Sequence, residues 1–249
     1  MAFLPTLQNR PLSASMVNSL RLDKYISNAT DLSRTEVKRL IKAGQVTVDD
    51  IIVANSAQKI TDDQTVAIEG STIQLASHRY FMMNKPAGVV SASKDRYNPT
   101  ALELIYEHRN EQLQIAGRLD IDTTGLLLIT DDGQWNHRVT SPKKDCKKRY
   151  LVELQNPVGK DYQKRLEAGI ALEGEKRRCL PASMEVIDDH HIYLSICEGK
   201  YHQVKRMITT LGNEVVSLHR LQIGEIQLDP QLEPGDYRPL SDAEVASIQ

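Results

Sequence analysis

Residues 117–130 read GRLDIDTTGLLLIT. Arg118, Asp120 and Asp122 come first, and Leu126–Ile129, an unbroken apolar run of strand length, follows directly. A chain that enters a buried strand through carboxylates must keep those acids solvated or paired, so the segment is a candidate site. Asp120, Asp122, Asp131 and Asp132 together would suit a hard cation. They lie at both ends of one strand, however, without calcium-loop spacing, and TDDG at 130–133 is ordinary turn chemistry. A glycosidase would need a second carboxylate across a sugar pocket, and nothing marks one. Gly117 and Gly125 do not form the dinucleotide-binding pattern G-x-G-x-x-G. What remains is one carboxylate, Asp120, aimed from a loop into a cleft. Beside a lysine or arginine it stays ionised, and an ionised, oriented aspartate can act as a nucleophile without metal or cofactor. An isolated Asp before a strand is more commonly a turn cap or a surface acid, so this chemistry needs elements that hold the carboxylate in place.

Those elements are legible around it. RYFMMNK, ending in a Pro-Ala-Gly turn, predicts a strand starting near residue 79, and a helix is expected at about 99–109. QWNHRVTSP reads as a short helix stopped by Pro142, KRYLVEL as a strand, and VGKDYQKRLEAG as a helix closed by Gly169. ASMEVIDDHHIYLSICEG predicts two strands about an Asp-Asp-His-His turn, and EVVSLHRLQIGEIQL finishes as strands. Val204, Met207, Ile208 and Leu211 repeat at helical spacing, which leaves Lys205 at the margin of the apolar stripe. Short alternating strands with few helices predict an α+β domain on a largely antiparallel sheet.

Residues 20–70 form a separate unit. Leu22, Tyr25 and Ile26 make one helical face. Ser33 and Glu36 form a capping box that opens a second helix, with Val37, Leu40 and Ile41 as its apolar stripe and Gly44 at its end. Arg34, Lys38 and Lys42 share the solvent face of that helix, and QVTVDD and TVAIEG alternate as short strands. On composition alone, a solvated face is the commoner fate of such a stripe.

At 249 residues the chain has room for one large or two modest domains with real cores, and a net charge of −2 gives no global pull toward nucleic acid. The charge is segregated, though. Bases cluster in RTEVKRLIK, PKKDCKKRY and GKYHQVKRM, which permits a local phosphate-binding face. No apolar stretch approaches the roughly 20 residues needed to span a bilayer. The N-terminal segment lacks the pattern of a secretory signal. Cys146, Cys179 and Cys197 are odd in number and widely spaced, which fits a reducing cytoplasm rather than a disulfide framework. The expected organisation is a disordered tail at 1–16, a small unit at 17–76 and a larger domain at 77–249.

RLDKYISNATDLSRTEVKRLIKAGQVTVDD resembles the S4 domain, an RNA-binding module whose second helix lies along RNA phosphates. The resemblance implies contacts from Arg34, Lys38, Arg39 and Lys42. AGRLDIDTTGLLLITDDG, KKRYLVEL and EGKYHQVKRM, in this order and spacing, resemble the RsuA family of pseudouridine synthases. With the S4-like unit the likeness covers about residues 20–245. It implies a pseudouridine synthase fold and an enzyme that breaks the N1–C1′ bond of a uridine in RNA, turns the base and rejoins it through C5.

By that resemblance Asp120 is the catalytic nucleophile. Tyr150 packs on the target base and takes part in proton transfer, and Lys205 pairs with Asp120. Arg118 helps hold a flipped nucleotide, Arg206 is a further candidate for substrate binding, and PKKDCKKRY contacts flanking phosphates. Asp122, where the family varies, is expected as a surface or capping residue. The chemistry needs an extruded nucleotide. Asp120 has two routes open to it, attack on the sugar or base, or assistance to glycal formation. GRLDIDTTGL, DDGQWNHRVTSP and GKYHQVKRM resemble more closely the branch acting on small-subunit (16S) ribosomal RNA, because large-subunit relatives usually carry an Asn-Arg-Gln type motif where this chain has YHQV. The expected partner is 16S rRNA or a small-subunit assembly intermediate, met by a cytoplasmic monomer with no metal or other cofactor and no membrane. The alternatives are a synthase for large-subunit rRNA and a non-catalytic S4-type assembly factor.

Overall fold

The computed structural model describes residues 19–30, 32–61, 63–73, 78–107, 109–141 and 146–248. The expected tail at 1–16, the Pro142 helix stop and the front of PKKDCKKRY lie outside the described residues. The chain divides into two compact units, Met1–Ser77 and His78–Gln249.

In the first unit, β1 (Leu20–Arg21) leads into α1 (Leu22–Ala29), followed by α2 (Arg34–Lys42), β2 (Val46–Val48), β3 (Ile51–Ile52), β4 (Lys59–Ile60), β5 (Val66–Ile68) and β6 (Ser71–Ile73). The predicted capping box opens α2. Ser33 Oγ accepts from the Glu36 amide, and the Glu36 side chain accepts from the Ser33 amide. Leu22, Tyr25 and Ile26 of α1 meet Val37 and Ile41 of α2 over Val46, Val48, Ile60 and Val66, forming one small core. Strands β3-β2-β5-β6 make an antiparallel sheet. Asp23 is buried in the first turn of α1, and Arg21 (2.9 Å) and Arg34 (3.0 Å) both bind it. These hydrogen bonds, that of Arg21 foremost, push its carboxyl down to about 2.

The second unit carries β7 (Tyr80–Lys85), β8 (Gln114–Ala116), β9 (Thr124–Thr130), α3 (Gly133–Thr140), β10 (Lys148–Leu154), α4 (Tyr162–Glu167), β11 (Ser183–Val186), β12 (His191–Ile196), α5 (Gln203–Thr210), β13 (Val215–Ile223), β14 (Ile226–Gln227), β15 (Tyr237–Pro239) and α6 (Asp242–Ser247). Nine strands form one sheet in the order β11-β12-β10-β13-β9-β7-β15, with β14 on β13 and β8 on β9. Every pairing is antiparallel except β9 with β13, where His219 and Arg220 run alongside Thr124 and Gly125. The unit is therefore α+β on a mixed, mostly antiparallel sheet.

β9 is apolar from Leu126 to Ile129 because the sheet is covered on both faces at this point. Leu127 and Ile129 enter a core with Tyr150, Val152, Val204, Met207 and Ile208. Leu126 and Leu128 enter another with Met82, Trp135, Val139 and Ile223. Burying each of these leucines contributes about 1.5–3 kcal/mol, and Leu127→Ala would cost about 2–5 kcal/mol. β10 alternates instead. Lys148, Tyr150, Val152 and Leu154 are buried, and Arg149, Leu151 and Glu153 lie on the opposite, partly exposed face.

The helix expected at 99–109 is not formed. A capping box from Thr100 and Glu103 starts a single 3-10 turn, Ala101–Leu104, and a second, Asn110–Gln112, follows. Ile105 is already extended and fully buried, so the core claims Leu102 and Ile105 at a spacing of three. Strand β15 and helix α6 lay outside the sequence reading. Ser241 and Glu244 form the capping box of α6, and the indole of Trp135 donates to the Val245 carbonyl at 3.0 Å. No helix among the described residues is long and apolar enough to cross a membrane.

Candidate active site

The loop between β8 and β9 carries Arg118, Asp120 and Asp122, and each of its carbonyls from Gly117 to Ile121 is held by a hydrogen bond. Arg220, on β13, is only 2% exposed. Its guanidinium donates to the carbonyls of Leu126 (2.8 Å), Gly117 (2.9 Å) and Arg118 (3.5 Å). Ser91 Oγ exchanges hydrogen bonds with the Leu119 carbonyl (2.9 Å) and amide (3.0 Å). The Asp120 carbonyl closes a turn to the Thr123 amide at 3.1 Å, and the Ile121 carbonyl accepts from the Gly88 amide at 2.8 Å. Beneath the loop lies Lys85, fully buried, its ammonium donating to the carbonyls of Pro86 (2.8 Å) and Ile121 (3.4 Å). Burial pushes that amine down to about 8, against the pull of Asp122 and Asp120. With the main chain fixed, the side chains of Asp120 and Arg118 are what the loop offers to a ligand.

A second condition is geometric. At Gly125 (φ 98°) a Cβ would stand 2.3 Å from the Arg220 carbonyl oxygen. Glycine is what lets β9 lie against β13 here, and it brings Arg220 within reach of the loop carbonyls.

Asp120 faces a cavity of about 720 Å³ lined by its own loop, by Tyr150 on β10, by Arg220 and by the segment 198–205 that leads into α5. The Lys205 ammonium lies 3.5 Å from Asp120 Oδ2, and the His202 ring nitrogen Nε2 lies 3.5 Å from Oδ1. Val204, Met207 and Ile208 anchor α5 in the core, which leaves Lys205 at its margin facing the loop. Its shorter contact is with Asp122, at 2.5 Å. Asp122 is exposed, as expected of a surface residue, and it also pairs with this amine. The Lys205 ammonium bridges two carboxylates, and its hydrogen bond holds the Asp122 carboxyl below the usual range. Tyr150 is 7% exposed, with the Arg220 guanidinium carbon 6.0 Å from its ring centre.

Asp120, Tyr150, Lys205 and Arg118 therefore line one hollow. The Arg118 side chain is exposed and makes no hydrogen bond or ion pair among the described residues. Arg206 is turned elsewhere. It donates to the carbonyls of Tyr201 (3.1 Å) and Glu173 and pairs with Glu175 at 3.4 Å, so it braces the loop before α5 rather than facing the cavity. In the first unit Lys38, Arg39 and Lys42 are exposed along α2, whereas Arg34 is drawn into the Asp23 pair. The other acids of the opening motif have structural work. Asp131 binds Arg79 at 2.8 Å, and Asp132 caps α3.

Arg220, His202 and Lys85 went unremarked in the sequence. Arg220 and Lys85 act on backbone carbonyls, which leave no trace in residue types. His202 stands next to the predicted Lys205 stripe, but only the folded chain brings it to Asp120.

Two family models match this chain, one described as RNA pseudouridylate synthase over residues 79–210 and the S4 domain over residues 20–66. A protein of Vibrio cholerae named ribosomal small subunit pseudouridine synthase A is 52% identical over 229 residues, covering 92% of this chain and 99% of the relative. The Escherichia coli protein of the same name is 48% identical over 230 residues, covering 92% and 100%. A crystal structure described as a pseudouridylate synthase superposes with a TM-score of 0.68 at 43% identity, covering 92% of this chain and 100% of the other.

Proposed function

Because this chain belongs to the RNA pseudouridylate synthase family, we infer that it isomerises one uridine of 16S, small-subunit ribosomal RNA, with Asp120 as the reacting carboxylate and no cofactor. As a pseudouridine synthase it is an isomerase. The N1–C1′ bond breaks, C5 bonds to C1′, the C5 proton leaves and N1 gains one. Nothing is oxidised or reduced, so the balance requires no redox partner.

The observation that carries the site assignment is the convergence of Asp120, Tyr150 and Lys205 on one cavity from three separate elements. In this reading Asp120 is the nucleophile, set on a loop whose carbonyls are already engaged, so little reorganisation accompanies attack. Lys205 steadies the carboxylate, and Tyr150 packs on the freed base and assists proton transfer. Arg118 meets a phosphate of the extruded nucleotide. The S4 unit brings Lys38, Arg39 and Lys42 to the RNA backbone, with Arg34 also holding α1 to α2. The choice of small-subunit RNA rests on relatives named for that activity that match 92% of this chain. The reading extends to a cytoplasmic monomer acting on that RNA or on an assembly intermediate.

The test is to incubate the protein with 16S transcript or partly assembled small subunits, without ATP or nicotinamide. Carbodiimide-blocked reverse transcription then reads for one new stop. Asp120→Asn should abolish the stop and leave RNA binding within about twofold of wild type. Full activity in that variant would overturn the assignment, and a stop only in large-subunit RNA would overturn the choice of substrate.

A further inference from the structure

We propose that the stacked rings of Tyr201 and His202 form a docking platform for the nucleobase next to the uridine that Asp120 attacks. This rests on the function inferred above and names a subsite within it.

Tyr201 is 74% exposed, and what sets it apart from the other exposed tyrosines is its place on the Asp120 cavity. Its ring lies on the His202 imidazole with centroids 3.8 Å apart and planes inclined by 18°. His202 in turn reaches Asp120 at 3.5 Å, so the stack begins one side chain from the reacting group. Both residues line the Asp120 cavity. The outer ring meets solvent, and its hydroxyl makes no hydrogen bond among the described residues.

The loop beneath the rings is built rather than loose. His202 holds a left-handed backbone (φ 47°), which residues with a side chain seldom adopt. Gln203, buried behind it, accepts from the Lys200 amide at 2.8 Å and donates to Glu198 at 2.9 Å. Arg206 grips the Tyr201 carbonyl at 3.1 Å, and the Lys200 ammonium is 3.5 Å from Glu175. A flat, open aromatic face held in advance is what an unstacked base seeks, and every base has a face to offer. Arg118, exposed on the same cavity, supplies charge for the connecting phosphate. Extruding a uridine unstacks its neighbour as well, and the platform gives that neighbour a new stacking partner.

The test compares full-length Tyr201→Phe, Tyr201→Leu and Tyr201→Ala with wild type on the 16S substrate. Tyr201→Ala and Tyr201→Leu should raise KM roughly tenfold while kcat falls less than about threefold, and Tyr201→Phe should restore KM because stacking needs the ring and not the hydroxyl. The salt dependence of RNA binding should keep its slope, since a neutral ring displaces no counterions. A leucine as good as phenylalanine, or an alanine with wild-type KM, overturns the proposal. The same tyrosine changes placed in the Asp120→Asn chain separate the two readings by RNA binding alone. If wild type makes no pseudouridine yet Tyr201→Ala still weakens binding roughly tenfold, the platform stands and the synthase assignment to this RNA falls. If wild type modifies the RNA and neither binding nor KM responds to Tyr201, the platform falls alone.

Discussion

Each unit carries a helix with nearly the same pentapeptide, Val37-Lys38-Arg39-Leu40-Ile41 in α2 and Val204-Lys205-Arg206-Met207-Ile208 in α5. In both, the valine and isoleucine are buried and the bases are pushed to the margin. The outcomes then diverge. Lys38 and Arg39 stand in solvent with no ion pair among the described residues, whereas Lys205 bridges Asp120 and Asp122 and Arg206 is taken up by Glu175 and two carbonyls. The helix decides only which way a base points. Whether it becomes an open contact for phosphate or half of an ion pair depends on acids supplied by another part of the chain. The difference predicts separate consequences for the two lysines.

The largest effect belongs to α5. Lys205→Met leaves two carboxylates facing each other without their shared cation, and kcat should fall roughly a hundredfold with RNA affinity little changed. Single-turnover kinetics on saturating 16S substrate would measure it, and near-normal turnover would mean that the pair with Asp120 has no part in the chemistry. The double change Lys38→Ala with Lys42→Ala in α2 should do the reverse. Affinity drops about five- to tenfold, kcat holds, and the slope of log K against log salt shrinks by about 1.4, as for two lost phosphate contacts on single-stranded RNA. An unchanged slope would make that stripe a plain solvated face. The smallest effect concerns what holds α2 to α1. Asp23 is depressed to about 2, so its stabilising contribution is complete above the ordinary carboxylate range near 4 and is lost as pH falls through about 2. Protection factors of α1 and α2 amides, taken relative to intrinsic exchange at each pH, should fall over that window in wild type, and Asp23→Asn should remove most of that fall.

The comparison also marks how far residue order alone could reach. Periodicity and caps exposed α1, α2 and α5, because a helix writes its buried face into the chain at fixed spacing. β9 was equally plain. The supposed helix at 99–109 failed because a good cap at Thr100 says where a helix can begin and not how long tertiary packing lets it run. The cap of α6 carries the same Ser-to-Glu signal as that of α2, so the start of that element is also legible in the residue order. Within the site, the motif and its family likeness led to Asp120, Tyr150 and Lys205, and the distances among them came only from the fold. Arg220 was out of reach of any such reading. A single arginine in a strand of mixed polarity says nothing of carbonyls about a hundred residues away that it will hold.

Gly125 shows what such a design entails. The seam between the two parallel strands closes only while nothing projects from that position, since an added methyl would overlap the Arg220 backbone. Even alanine there would act as a wedge. The displaced strand would carry the guanidinium with it, and the loop it clasps would lose its grip on the direction of Asp120. One missing side chain, touching no substrate, thereby sets the aim of the whole centre.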